Sequence, residues 1–134
     1  MSKITLHKEL CEEIIGAFYR VYNTLRHGFL EKVYENALMV ELKRMGFHVL
    51  QQSEVQVFYQ GIEVGYYKAD LIVENKVIVE LKTAENIAEE HECQLINYLR
   101  ASDIEVGLIL NFGKTARFKR KVFENQFKPP RKFV

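Results

Sequence analysis

Two carboxylates and an amine carry the clearest chemical potential in the chain: Asp70, Glu80 and Lys82, in the order Asp-x9-Glu-x-Lys. They lie in Tyr67 to Lys82, where two β-rich runs, Ala69–Val73 and Val77–Leu81, flank the polar tripeptide Glu74-Asn75-Lys76. That pattern predicts a hairpin. Alternation puts Asp70 and Ile72 on one face, with Ala69, Leu71 and Val73 on the other; Ile78, Glu80 and Lys82 share a face on the return strand. A three-residue turn pairs Val73 with Val77 and Ile72 with Ile78, which sets Asp70 opposite Glu80. A two-residue turn would scramble the apolar faces, so the longer turn is favoured. Two carboxylates with Cβ atoms ~5 Å apart repel one another, and a divalent cation between them would reverse that sign. Lys82 would then steady a nucleophilic water or a phosphate oxygen. The plainer alternative is three charges on a solvated sheet face.

Other residues are placed to join this patch. Glu31 stands in the first turn of a predicted helix, where a carboxylate either complements the helix dipole or is aimed inward at Asp70 and Glu80. Gln94 and Tyr98, four apart on another predicted helix, share a face, with His91 three residues earlier. If that helix packs on the sheet face carrying Glu80, its polar groups reach the patch; otherwise Tyr98 is core and Gln94 a boundary residue. A zinc site is excluded by too few cysteines and histidines at suitable spacing, and no glycine-rich phosphate loop occurs. Cys93 and His91, two apart on a helix, point in different directions and do not make a nucleophilic pair.

These residues need elements to hold them. Leu10, Ile14, Phe18, Val21 and Leu25 predict an amphipathic helix over 5–25, with Thr5 a possible cap. A second helix runs to about Met45 with the buried stripe Leu30, Val33, Tyr34, Ala37, Leu38, Leu42 and Met45, and stops at Gly46. A three-stranded antiparallel meander follows, at about 54–59, 62–73 and 77–82, with a bend at Gly65. A third helix spans about Asn86 to Ala101. The apolar run from Glu105 to Phe112 predicts a strand buried on both faces and parallel to 77–82. A last strand, about Ala116–Phe123, precedes Pro129-Pro130.

The chain has 134 residues, 48% apolar and 28% charged. That composition predicts one globular domain, 1–134, with a core at about 5–123 and a basic tail at 124–134. No apolar run approaches a membrane span and the N-terminus lacks a signal-peptide core, so a soluble, cytoplasmic protein without membrane contact is expected. Two cysteines, Cys11 and Cys93, suit a reducing compartment. Net charge is +1, but Lys114–Val134 carries eight Lys/Arg against one acidic residue, a net +7 that leaves −6 for residues 1–113. This basic segment is either a phosphate-binding arm or an ordinary solvated edge strand.

The order helix, helix, three antiparallel strands, helix, parallel strand resembles the PD-(D/E)XK nuclease core. Gly28-x-x-Glu31-x-x-Tyr34 resembles the signature of the GxxExxY family, a small branch of that superfamily. Asp70 with Glu80-Leu81-Lys82 is similar to its D…ExK motif, and Gln94-x-x-x-Tyr98 resembles the Q-x-x-x-Y motif of exonuclease-like members. Asn111-Phe112-Gly113 is similar to the usual end of its last core strand. The family's pattern has Gly-Pro-Gly before the glutamate and a histidine in the first helix; here stand Arg26-His27-Gly28, with Tyr22 near the histidine's place. Either His27 or His91 would be the substitute, or the histidine is dispensable.

The resemblance implies an α+β (α/β), restriction-endonuclease-like fold with a mixed four- to five-stranded sheet and three helices. It implies phosphodiester hydrolysis with Mg2+ or Mn2+ on nucleic acid, DNA being the expected partner. Asp70 and Glu80 would hold the metal with the Leu81 carbonyl, and Glu31 directly or through water. Lys82 would orient the water or contact phosphate, while Gln94 and Tyr98 would position the scissile phosphate or Lys82. The rival expectation is a catalytically silent nuclease fold that serves as a nucleic-acid-binding or protein-interaction module, with a homodimer among its forms.

Overall fold

The structure is a computed structural model, described here over residues 6–129. Helices α1 (Lys8–Leu25) and α2 (Glu31–Arg44) lead into β1 (Val49–Tyr59), β2 (Ile62–Val73) and β3 (Val77–Lys82); α3 (Glu89–Ala101), β4 (Val106–Phe112) and β5 (Ala116–Val122) follow. The five strands form one sheet in the order β1-β2-β3-β4-β5. β3 and β4 are parallel and every other pair is antiparallel. This is the mixed α+β sheet with three helices that the sequence predicts.

The sheet is sandwiched. Ile14, Phe18 and Val21 of α1 and Tyr34, Leu38 and Leu42 of α2 pack with Leu71, Val79, Leu108 and Phe112 in one apolar cluster. Leu95, Tyr98 and Leu99 of α3 pack with Ile72, Ile78 and Ile109 in a second. Every residue of β4 is buried, as expected of a strand covered on both faces.

Turn chemistry sets the hairpin. Glu74 and Asn75 both have φ of 54°, and the Lys76 N–H donates to the Val73 carbonyl at 2.9 Å, as in a type I′ turn. Val73 pairs with Val77 and Ile72 with Ile78, the register expected from the apolar match. In β1–β2 the register shifts between Val57 and Phe58, opposite Gly65 and Glu63, which is the bend expected near Gly65.

Several expectations are corrected. β1 begins at Val49 rather than near 54. α1 begins at Lys8 after His7, which has no side-chain cap; Thr5 lies outside the described residues. In α2 the stripe is narrower than predicted. Leu30 is 79% exposed and Val33 38%, whereas Glu35 is 3% exposed. Leu30 is the extended residue before the first turn, so it stands off the helix, and the core stripe through Tyr34, Leu38 and Leu42 includes the flank carrying Glu35 instead. Alternation also fails at Asp70, because Ala69 joins the cluster of Ile72 rather than that of Leu71 and Val73. Across from it, Gln52 has φ of 51°, and Val49 and Val55 on either side of it enter opposite clusters. The two strands switch faces together there.

The basic C-terminal segment is largely an edge strand with internal duties. Lys119 and Lys121 pair with Glu92 of α3, and Arg120 donates to the Leu6 carbonyl. Lys128 donates to the carbonyls of Ser102 and Ile104. Residues 130–134, the end of the predicted tail, lie outside the described residues.

Candidate active site

On β3, Val77, Val79 and Leu81 enter the α1/α2 cluster while Ile78 enters that of α3. Glu80 and Lys82 therefore project on the α3 side. Asp70 arrives from β2 just where pairing with β3 ends, the last backbone pair being Leu71 with Val79. Beyond it the side chains replace the ladder. The Asp70 N–H donates to Glu80 Oε2 at 2.8 Å, and the Leu81 N–H donates to Asp70 Oδ2 at 2.8 Å. Each carboxylate is thus tied to the opposite strand's backbone, which holds the pair together across the hairpin despite their charge.

Crowding raises their proton affinity. Glu80 is 3% exposed, and burial first, then the Asp70 carboxylate, pushes its carboxyl up to about 8. Burial also raises Asp70, against the Leu81 hydrogen bond that lowers it. Glu31 is raised by burial, then by repulsion from Asp70, with Lys82 opposing. A buried carboxyl titrating near 8 takes up a proton on folding above its ordinary value of 4.5. Its favourable contribution is therefore complete below about 4.5 and lost as pH rises through about 8. The metal-free protein should melt at falling temperature across that window, and Glu80→Gln should flatten the slope. Equal slopes in both proteins would refute the origin in Glu80.

Lys82 is held from α3: its Nζ donates to Gln94 Oε1 at 3.0 Å. Tyr98, one turn on, is 4% exposed, and burial followed by the charges of Glu80 and Asp70 raises its phenol strongly. It remains a protonated donor at neutral pH. His91, the third residue of that predicted face, turns elsewhere: its Nδ1 accepts the Ala88 N–H at the head of α3. Glu31 is itself exposed, yet its carboxylate is coupled to Asp70 and Lys82, so the tip of α2 faces the same patch.

Three residues that sequence reasoning passed over complete the surroundings. Glu35, one turn after Glu31, accepts hydrogen bonds from Lys32, Gln51 and Gln52. Gln52 Nε2 also donates to Asp70 Oδ1 at 3.2 Å, so Gln52 links the buried Glu35 to the candidate metal ligand. The i, i+4 spacing of Glu31 and Glu35 was a signal available in the sequence. Gln52 gave none, because it turns toward Glu35 at its own positive φ, whereas Gln51 shares the face of Val49 and meets α2 by ordinary alternation.

The motif tyrosine and the last-strand motif are scaffolding. Tyr34 O–H donates to the Arg26 carbonyl and accepts the Phe29 N–H, which fixes the loop before Glu31; Gly28 in that loop has φ of 116°, a conformation suited to glycine. The Tyr34 ring stacks on Phe112 at 4.4 Å. Asn111 is fully buried and clamps Ala84, accepting its N–H and donating to its carbonyl, each at 2.9 Å. Tyr22 directs its hydroxyl to the carbonyls of Gly113 and Lys114, both at 2.7 Å. Among the described residues no three His, Cys, Asp or Glu side chains form a ready-made metal cluster.

The PD-(D/E)XK nuclease superfamily model matches residues 8–123. The chain belongs to that superfamily. Membership covers all the elements from α1 to β5 and includes Glu31, Asp70, Glu80, Lys82, Gln94 and Tyr98. A solved structure shares the fold of this chain. The crystal structure of SSO0001 is similar at TM-score 0.56 and 19% identity, over 91% of this chain and 62% of that one. At that identity the likeness concerns the fold, and the present chain spans less than two thirds of that structure's length. No curated protein matches the chain. Among the described residues, no helix is long and apolar enough to cross a membrane.

Proposed function

We propose that this superfamily member is a Mg2+- or Mn2+-dependent nuclease of the GxxExxY branch, hydrolysing phosphodiester bonds of nucleic acid, with DNA as the expected substrate. The observation that carries the reading is the pairing of Asp70 with Glu80 across the parted strands, beside an ammonium held by Gln94. Superfamily members are in general metal-dependent nucleases. The glycine-Glu31-Tyr34 spacing, and the part Tyr34 plays in fixing the loop before Glu31, support the branch.

The donor set suits a hard divalent cation. Asp70, Glu80 and Glu31 all have raised proton affinities, first through burial and then through neighbouring carboxylates, a cost that a bound cation would offset. Mg2+ is commonly held by one or two carboxylates, waters and substrate phosphates, so a cage of three side chains is unnecessary. Asp70 and Glu80 would be the ligands, with the Leu81 carbonyl and, directly or through water, Glu31. Bound there, the ion would lower the pKa of a water and offset charge on the phosphate. Lys82 orients the attacking water or holds a phosphate oxygen. Gln94 fixes the Lys82 ammonium, and Tyr98, kept protonated, donates to the phosphate. A single domain over 1–134 and a reducing, cytoplasmic setting belong to the same reading, the latter supported by two free cysteines.

One rival is a catalytically silent nucleic-acid-binding or protein-interaction module, with a homodimer as one form. The deciding experiment incubates the protein with labelled single- and double-stranded DNA and RNA, with and without Mg2+ or Mn2+. Cleavage that needs metal supports the nuclease. No cleavage of any substrate, together with no rise in melting temperature at millimolar metal, supports the rival.

A further inference from the structure

Beside the site lies a groove of about 280 Å3, lined by Val57, Phe58, Tyr67, Asn97 and Arg100, with Pro129 from the C-terminal segment. None of these residues has a part in the chemistry above. Two observations join the groove to the site. The ring centroid of Tyr67 is 5.1 Å from that of Tyr98, and Tyr98 lies one turn along α3 from Gln94, whose Oε1 accepts from Lys82 Nζ. Asn97 and Arg100 also lie on α3 within two turns of Gln94, which holds Lys82. At roughly 1.5 Å per residue, Arg100 is about 9 Å along the helix from Gln94. Tyr98 is packed away, whereas Tyr67 is 41% exposed and offers ring surface to the groove.

The lining combines aromatic rings, an amide with donors and an acceptor, and a guanidinium. An aliphatic ligand would leave Asn97 and Arg100 unmatched, and a free phosphate would leave Phe58 and Tyr67 unmatched. A nucleotide uses all of them: its base stacks on an aromatic ring, an amide meets the base edge, and a guanidinium meets the phosphate. A duplex keeps its bases stacked inside and cannot enter without unpairing one.

We propose that this groove binds one unpaired nucleobase and its phosphate, from a strand whose neighbouring phosphate lies at the Asp70–Glu80–Lys82 site. The role of that neighbouring site rests on the nuclease reading; binding in the groove does not require catalysis. The test measures, by fluorescence anisotropy in EDTA, the full chain with a labelled thymidylate oligonucleotide, with a base-free deoxyribose-phosphate strand of equal length, and with a duplex. Wild type should bind the oligonucleotide about tenfold more tightly than the base-free strand, and more tightly than the duplex. Tyr67→Ala should erase the difference between the two single strands, and Tyr67→Trp should keep it. A structural defect would instead lower affinity for both strands alike, and that result overturns the proposal. So does a preference for bases that survives in Tyr67→Ala, or a duplex bound as tightly as the single strand. Metal-dependent cleavage without this Tyr67-dependent base preference would sink the groove alone. The base preference without any metal-dependent cleavage would sink the nuclease reading alone.

Discussion

If the proposed nuclease activity is present, Asp70→Asn and Lys82→Ala should each lower metal-dependent cleavage by at least about a hundredfold, while the protein stays folded. Asparagine keeps an oxygen that accepts the Leu81 N–H, so the tie between β2 and β3 survives. What it loses is the negative charge that an ion needs. Lys82 is half-buried and its Nζ bonds Gln94; alanine removes one hydrogen bond, a modest loss of about 1 kcal/mol. Its loss from catalysis is far larger, because a positioned ammonium has no substitute at the phosphate. Cleavage rates measured beside melting curves separate the two effects. Activity within threefold of wild type in either variant, with the fold intact, would mean that the reaction is sited elsewhere.

The second large effect is on stability. Gly113→Ala should cost about 3 kcal/mol and lower the melting temperature by roughly 10 °C. A Cβ at Gly113 would lie 2.2 Å from the Ala84 carbonyl oxygen. That oxygen belongs to backbone which Asn111 grips from both sides, so it cannot move without breaking the clamp. Gly107→Ala makes a useful contrast. Its Cβ would meet Leu95 Cδ1 at 2.6 Å, the far end of a side chain that can rotate, and about 1 kcal/mol is expected. Melting curves for the two variants test the ranking. Equal losses would show that the loop after β3 is not the rigid partner described here.

The elements legible in the sequence were those fixed by local rules. The Glu74-Asn75-Lys76 turn and the apolar match of Ile72 with Ile78 specified a register that a one-residue slip would have ruined. β4 was legible because seven consecutive residues are buried. The spacing of Glu35 from Glu31 was legible but its burial was not: a carboxylate is buried only when other groups satisfy it, and its partners Gln51 and Gln52 are far along the chain. The side on which Ala69 lies was equally hidden, since period-2 alternation carries no mark of the positive φ at Gln52 that breaks it. Of the candidate residues, Asp70, Glu80, Lys82, Gln94 and Tyr98 gather on the α3 side or at the parted strands. Glu31 reaches them by charge rather than by hydrogen bond.

The internal duties of the basic segment bear on how the molecule would meet a polyanion. Lys119, Arg120, Lys121 and Lys128 already have protein partners. Glu92 offsets part of the charge of Lys119 and Lys121, and the carbonyl contacts hold Arg120 and Lys128 in place, so these cations displace fewer counterions from a nucleic-acid backbone than unheld ones would. The ionic-strength dependence of association is therefore set by fewer charges than the eight that the last 21 residues contain. Base stacking on Tyr67 in the proposed groove, which does not fade with added salt, would then carry a correspondingly larger share of the affinity.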